Sequence, residues 1–173
     1  MNQAFVWIAA VALVAGCTAM SPTPAGPAAT TTLAPTQGNS AKGTVNFAQQ
    51  GNKVVVVAKV SGLTPGSHGF HIHEKGDCSS PDAMSAGGHF NPTGKPHAHP
   101  STTERHAGDM PMLVADASGN ASITTELDVI TIGGGATDIV GKAVIVHTDP
   151  DDFKTQPTGN AGGRVACGVI RRS

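Results

Sequence analysis

The chain has 173 residues, which allows one domain with its own hydrophobic core once any export segment is removed. Charged residues make up 13% of the chain and the formal net charge is −1, which argues against nucleic acid as a partner because phosphate binding needs a basic surface. The 22 glycines and 12 prolines favour turns and short strands, and eight histidines are an unusual number for so short a chain.

The first 17 residues have the pattern of an export signal. An apolar run over residues 4–15 is too short to span a bilayer and has the length of the apolar region of a signal peptide. It ends in Leu13-Val14-Ala15-Gly16-Cys17, which resembles the lipobox of bacterial lipoproteins, whose cysteine receives a diacylglycerol. We therefore expect residues 1–17 to be a lipoprotein signal peptide and Cys17 to anchor the protein to a membrane of the bacterial periplasm or cell envelope. No Lys or Arg precedes the run, so an ordinary signal peptide is the alternative.

Residues 18–28 consist of Thr, Ala, Met, Ser, Pro and Gly without periodicity, which predicts a flexible linker. If Cys17 carries the lipid, two of the three cysteines remain for the mature domain. Exported proteins meet an oxidising compartment, so we expect one disulfide between Cys78 and Cys167.

From residue 29 onward the chain has the pattern of short strands separated by turn signals, and no stretch shows a sustained helical period. Strands are predicted at residues 29–33, 43–49, 53–60, 68–74, 112–116, 121–127, 142–148 and 164–170. This pattern indicates an antiparallel sandwich or barrel. The connections 75–110 and 149–163 are too long for simple turns, and because they hold most of the notable residues we expect them to be functional.

Two predicted strands carry histidines. His71 and His73 are two residues apart, so their imidazoles project from the same side of a strand, while Phe70 and Ile72 face a core. His147 ends the later strand 142–148. A His-x-His pair alone is weak evidence for a site, but a third histidine from another strand strengthens it.

The first long connection adds His89, His97, His106 and Asp109. Its prolines and glycines prevent regular structure, so a metal is a plausible centre for it to fold around. Three histidines and a carboxylate suit tetrahedral Zn²⁺, and a set of nitrogen ligands suits Cu²⁺. The alternative is a solvated polar loop with scattered histidines.

Four segments contain most of these histidines or follow them: GFHIHE at 69–74, GHFNP at 88–92, HAGD at 106–109 and GNAGGRVACGVI at 159–170. In their order and spacing they resemble the signature segments of copper/zinc superoxide dismutases. The match covers residues 29–173, which we expect to form the dismutase domain. EKGDC at 74–78 and Pro111 look like the bacterial branch of the family.

The resemblance implies an eight-stranded antiparallel Greek-key β-barrel, related to Ig-like sandwiches, with two long functional loops. It implies one copper and one zinc per chain. The implied copper ligands are His71, His73, His89 and His147, and the implied zinc ligands are His89, His97, His106 and Asp109. The implied activity is dismutation of superoxide to O₂ and H₂O₂ by a redox-cycling copper that His89 bridges to a structural zinc.

Outside these ligands, the resemblance implies that Asp151 links a copper histidine to a zinc histidine. It implies that His68 is a buried hydrogen-bonding residue and that Arg164 attracts the superoxide anion beside the copper. Arg164 pairing with an acid to hold the 149–163 connection is the alternative. His99 has no counterpart among the family's ligands and is expected to be a solvated loop residue.

Departures and alternatives remain. Many eukaryotic members have a lysine where this chain has Pro157, and the nearest lysine is Lys154, whose part in steering is open. The competing functions are a non-catalytic envelope protein that binds copper or zinc or acts as a chaperone, and a purely structural lipoprotein. The sequence leaves monomer or homodimer open.

Overall fold

The computed structural model describes residues 26–173, so the predicted signal peptide with Cys17 and most of the predicted linker lie outside the described residues. The described part contains a short 3₁₀ helix at Met84–Ala86 and ten strands. These are β1 Ala28–Pro35, β2 Lys42–Gln50, β3 Lys53–Ser61, β4 Gly66–His68, β5 Phe70–His73, β6 Leu113–Ala115, β7 Ala121–Leu127, β8 Ala143–His147, β9 Arg164–Val169 and β10 Arg171–Arg172. No helix in this part is long and apolar enough to cross a membrane.

The strands form an all-β antiparallel fold, as predicted. One eight-stranded sheet has the order β5-β8-β9-β1-β2-β3-β7, with β10 also paired to β1, and β4 and β6 form a two-stranded ribbon. The neighbours β9–β1 and β3–β7 are far apart in the chain and give the crossovers of a Greek key. The hairpin β2–β3 closes at the pair Gln50–Lys53 through a two-residue turn, where Gly51 adopts the φ of 60° that such a turn requires.

The predicted strand 68–74 is in fact two strands. β4 pairs with β6, whereas β5 pairs with β8. Gly69 separates them, and its N–H donates to Asp149 O while its carbonyl accepts from His147 N–H. The chain crosses from one sheet to the other here, at a position where a Cβ would lie 2.7 Å from the Ala161 methyl.

Alternating side chains fill the core. Val45 and Phe47 on β2 face inward opposite the valines of β3, and Phe70 and Ile72 on β5 are fully buried in the same cluster. Burial of each large aliphatic or aromatic side chain contributes about 1.5–3 kcal/mol. A second, smaller cluster packs Ile145 of β8 and Cys167 of β9 against the 3₁₀ helix.

Two long connections cover one end of the sheet. Residues 74–112, the β5–β6 loop, hydrogen-bond to the free edge of β5: Ile72 N–H donates to Gly108 O and Ile72 O accepts from Phe90 N–H. A disulfide between Cys78 and Cys167, with Cα atoms 5.8 Å apart, ties this loop to β9. Residues 148–163, the β8–β9 loop, return to the same end of the sheet. The barrel thus brings both loops against the histidine-bearing side of β5.

Candidate metal centre

Two clusters of ligand-type side chains lie side by side beneath the loops. The four-histidine cluster consists of His71, His73, His89 and His147. The histidine–aspartate cluster consists of His89, His97, His106 and Asp109. In each cluster one ligand atom per residue lies within 4.8 Å of the others, every member is buried, and His89 belongs to both.

The sheet positions three of the histidines. All four residues of β5 are buried, because its Phe70 and Ile72 side enters the core while its His71 and His73 side lies under the loops. In the antiparallel register His71 lies opposite Ile145 of β8, and His147 is two residues further along the same face. A register shift between Val146 and His147 breaks the pairing with β9 at the point where the imidazole enters the site.

Backbone carbonyls fix the tautomers of two of these rings. His73 Nδ1 lies 2.9 Å from Gly87 O, and His147 Nδ1 lies 3.3 Å from Gly162 O. A carbonyl oxygen only accepts, so both Nδ1 atoms carry the proton and both Nε2 atoms keep a free lone pair. These Nε2 atoms face each other at 3.4 Å. The protein therefore presents two convergent imidazole lone pairs.

Two further ring atoms point into the same space without a partner. Within residues 26–173, neither His71 Nδ1 nor His89 Nε2 has a hydrogen-bond partner, although both are buried. Buried polar atoms are rarely left unpaired, because the loss of hydration is then uncompensated. A cation bound by the four imidazole nitrogens would satisfy both atoms, so the residues fit a copper ion.

The second cluster converges on one carboxylate. Asp109 Oδ1 lies 3.0 Å from His89 Nδ1, 2.9 Å from His97 Nδ1 and 3.5 Å from His106 Nδ1. The other oxygen, Oδ2, accepts the backbone N–H groups of Ala98 and His106, each at 3.1 Å. Three imidazole nitrogens around one anchored carboxylate form the donor set of a tetrahedral zinc site.

Asp151 of the β8–β9 loop connects the clusters. Its Oδ2 lies 2.6 Å from His71 Nε2 and its Oδ1 lies 2.9 Å from His97 Nε2. Phe153 N–H donates to the same Oδ1 at 2.7 Å and so orients the carboxylate. Each histidine thus turns its remaining nitrogen, Nδ1, toward its own cluster.

Burial and hydrogen bonding give the histidines of the two clusters different pKa values. Burial lowers the pKa of His89 to about 4 and that of His147 to about 3, and it holds the pKa of His73 well below the usual range. These rings are neutral near pH 7, the form that binds metal. Burial also disfavours a charged His97, but its hydrogen bonds to Asp109 and Asp151 outweigh this and raise its pKa to about 9.

The two aspartates are held as carboxylates. Burial favours the protonated form of Asp109, but hydrogen bonds from the surrounding histidines bring its pKa far below the ordinary value. The same competition, with His71 and His97 as partners, lowers the pKa of Asp151. The histidine–aspartate cluster therefore offers the negative charge that a divalent cation requires.

Arg164 lies at the start of β9, next to the four-histidine cluster. Its two terminal nitrogens donate to Ala83 O and Gly87 O, each at 2.6 Å, and Gly87 O is also the partner of His73. The guanidinium is half-buried, and no carboxylate of the described residues lies within ion-pair distance of it. Arg164 therefore forms no ion pair with the β8–β9 loop in the described part of the chain, and its guanidinium binds carbonyls of the β5–β6 loop.

The remaining histidines lie outside both clusters. His68 is buried, with Nδ1 2.8 Å from His147 O and Nε2 2.8 Å from Thr64 O, so it braces the backbone of a cluster residue. His99 is exposed and pairs with Ser101 Oγ at 2.8 Å.

Sequence reasoning missed Gln156 and Gly159. The Gln156 amide hydrogen-bonds to the backbone of His97, and the Gly159 backbone packs against the Asp151–His97 bond. Gly159 was noted in the sequence only as the first residue of the GNAGGR segment that carries the resemblance. The contacts of Gln156 and Gly159 depend on how the two loops fold, which the sequence pattern does not reveal.

Comparisons with known proteins agree with this centre. The family model for copper/zinc superoxide dismutase (SODC) matches residues 41–170. A relative from Brassica juncea, named superoxide dismutase [Cu-Zn] 2, is 48% identical over 136 residues, which cover 75% of this chain and 88% of the relative. The solved structure of a protein called the clock protein EA4 superposes with a TM-score of 0.76 at 41% identity, covering 88% of this chain and 99% of that one.

Proposed function

Because the chain belongs to the copper/zinc superoxide dismutase family, which uses both metals and converts superoxide, we propose a specific division of its ligands. The four-histidine cluster holds copper and the histidine–aspartate cluster holds zinc. His89 belongs to both clusters and would help to hold each metal. The observation that carries this proposal is the split of His89, with Nδ1 at Asp109 and a buried, unpartnered Nε2 among the other histidines.

The division follows the chemistry of the donors. Neutral imidazoles in a set without a carboxylate suit copper, which must change oxidation state in the reaction. Three histidines and a carboxylate would give zinc a closed set of four ligands, as structural zinc sites have. Asp151 supports this division, because it fixes one ring of each set and so the distance between the sets.

The reaction consumes two superoxide anions and two protons and yields one O₂ and one H₂O₂. Bound copper would supply the one-electron oxidation and reduction, and zinc would hold the far side of His89. His89 can take up a proton at Nε2 and deliver it to the reduced oxygen, since no other protein group occupies that atom in the described part of the chain. His71, His73 and His147 keep their ring orientations throughout, because their second nitrogens stay bound to Asp151, Gly87 O and Gly162 O.

Arg164 guides the substrate in this proposal. Superoxide is too small for recognition by shape, so charge and access determine its rate of encounter. The guanidinium stays charged at physiological pH, and its bonds to Ala83 O and Gly87 O hold it near His73 without neutralising it.

Metal reconstitution tests the division of ligands. Protein stripped of metal is loaded with zinc alone, then with zinc and copper, and superoxide consumption is measured with metal content. We expect one copper and one zinc per chain and dismutation only with copper; full activity in a copper-free preparation would contradict the proposal. His89→Ala should abolish activity, whereas His99→Ala, an exposed histidine outside both clusters, should retain both metals. A metal-binding protein without turnover would bind both ions and consume no superoxide.

We also propose that the enzyme protects the bacterial cell envelope, tethered by a lipid on Cys17. The lipobox-like segment and the disulfide between Cys78 and Cys167, a bond typical of oxidising compartments, support this location. Cys17→Ser should release the protein from the membrane fraction or block its processing. Lipid labelling that persists in the variant would exclude Cys17 as the attachment point. Monomer and homodimer both stay open, and sedimentation of the purified protein distinguishes them.

A further inference from the structure

The β8–β9 loop forms hydrogen bonds to the backbone of His97, a member of the histidine–aspartate cluster. Gln156 Oε1 accepts the N–H of His97 at 2.8 Å, and Gln156 Nε2 donates to His97 O at 2.7 Å. This reciprocal pair fixes the amide orientation, because the backbone N–H requires the oxygen and the backbone carbonyl requires the NH₂. Within residues 26–173 no backbone group pairs with His97, so the Gln156 side chain takes the place of a neighbouring strand.

The same loop also holds the His97 ring. Asp151 Oδ1 is 2.9 Å from His97 Nε2, and the Phe153 ring lies nearly parallel to the imidazole with centroids 6.4 Å apart. His97 is therefore fixed at both backbone groups and at one ring nitrogen. Its only remaining polar atom is Nδ1, which lies 2.9 Å from Asp109 Oδ1 in the histidine–aspartate cluster.

The chain around His97 needs such an external hold. Pro96 and Pro100 lack N–H groups and, with Gly94, exclude helix or strand in this stretch. The internal support on either side of His97 consists of Ala98 N–H, which donates to Asp109 Oδ2 at 3.1 Å, and of the Asn91 side chain, which bonds to Lys95 N–H and O at 3.0 and 2.8 Å. Without Gln156 neither backbone group of His97 itself would have a hydrogen-bond partner, and the direction of Nδ1 would be less closely fixed.

We propose that Gln156 is a positioning residue for zinc, acting through the backbone of His97. The inference rests on the proposed function only in that the histidine–aspartate cluster holds zinc. Coupling between two sites is reciprocal, so the contribution of the Gln156–His97 contact to zinc affinity equals the contribution of bound zinc to that contact. Bound zinc would then help to hold in place the β8–β9 loop, which leads into Arg164, although Gln156 is not a copper ligand.

Two variants test this role against one control. Gln156→Ala removes both hydrogen bonds. Gln156→Glu keeps the size and the acceptor but places a second oxygen against His97 O. The control is Gln50→Ala, which removes an exposed glutamine at the end of β2 on the barrel. Metal-depleted proteins are titrated with zinc against a chelator, with Co²⁺ to record its visible absorption bands, and protease cleavage within residues 148–163 is followed with and without zinc.

Removal of an outer hydrogen-bonding partner typically weakens metal binding about 10- to 100-fold, and we expect that range for both Gln156 variants. Their Co²⁺ bands should shift, and zinc should protect the β8–β9 loop less than in the wild type. Gln50→Ala should match the wild type. Wild-type affinity and spectra in both Gln156 variants, or equal weakening in Gln50→Ala, would overturn the role of Gln156. A wild-type protein that binds no zinc would instead contradict the zinc site itself, and this inference with it.

Discussion

Replacement of Gly159 by alanine should disturb the link between the two metal sites without replacing a ligand. Gly159 has a φ of 70°, and a Cβ there would overlap Asp151 Oδ1 and lie 2.6 Å from His97 Nε2. The methyl group must therefore push the Asp151 carboxylate away from the position in which it binds both His71 and His97.

The size of the effect can be worked from these contacts. Alanine in the left-handed region costs roughly 1–2 kcal/mol. Loss of one hydrogen bond to a buried carboxylate adds about 1.5–3 kcal/mol. Gly135→Ala is the matched control, because Gly135 has a φ of 83° and nothing within 4 Å of its Cβ position, so it carries the backbone strain alone. The difference between the two variants isolates the displacement of Asp151.

Urea unfolding of the metal-free proteins and zinc titration provide the assay. Gly159→Ala should unfold with a free energy about 1.5–3 kcal/mol below that of Gly135→Ala, and it should bind zinc about 10- to 100-fold more weakly. Equal stability and equal zinc affinity in the two variants would refute the reasoning, since the Asp151 carboxylate would then have no energetic role in holding the rings.

Three further predictions concern acid, the disulfide and the substrate. In the unfolded chain His89 and His147 bind protons near pH 6.5, whereas burial keeps their pKa values in the folded protein at about 4 and about 3. The stability of the metal-free protein should therefore fall as the pH drops below about 6.5. A free energy of urea unfolding that stays constant between about pH 6.5 and 4 would contradict the burial of neutral rings. Cys78→Ser removes the disulfide to Cys167, which joins residues 89 positions apart. The free energy of unfolding should fall by about 4–5 kcal/mol in the chain-entropy model. An unchanged melting temperature would count against stabilisation by the disulfide. Arg164→Glu should slow dismutation by about 10-fold or more with both metals bound, whereas Arg164→Lys should keep most of the rate; a wild-type rate in the Glu variant would exclude guidance by this charge.

The strand-borne part of the site could be predicted from the sequence because strands have a fixed period. His71 and His73 share a face through alternation alone, and Phe70 and Ile72 must then enter the core. The break at Gly69 was missed because a glycine flanked by buried residues has the same pattern in one continuous strand as between two. Only the pairing partners, β6 for one part and β8 for the other, separate them.

The residue types in the loops indicated a metal site, but the assignment of each loop residue to a metal followed from the resemblance and not from periodicity. Irregular segments have no repeating pattern, so nothing in the sequence relates Gln156 to His97, which is 59 positions away. The contacts of Arg164 could not be predicted from the sequence either. Its hydrogen-bond acceptors are backbone carbonyls, which every residue has, so the type of side chain does not identify them.

One peptide joins the proposed copper site to the proposed substrate guide. Gly87 O accepts from His73 Nδ1 at 2.9 Å and from an Arg164 nitrogen at 2.6 Å. Gly87 has a φ of 73°, and a Cβ there would meet the Glu74 side chain, so the carbonyl is held in a conformation that favours glycine. The disulfide ties the same loop to β9 at Cys167, three residues after Arg164. A shift of this loop would therefore turn the His73 imidazole and move the Arg164 guanidinium together, so the proposed anion steering would depend on the same hydrogen-bond acceptor as the orientation of the ring.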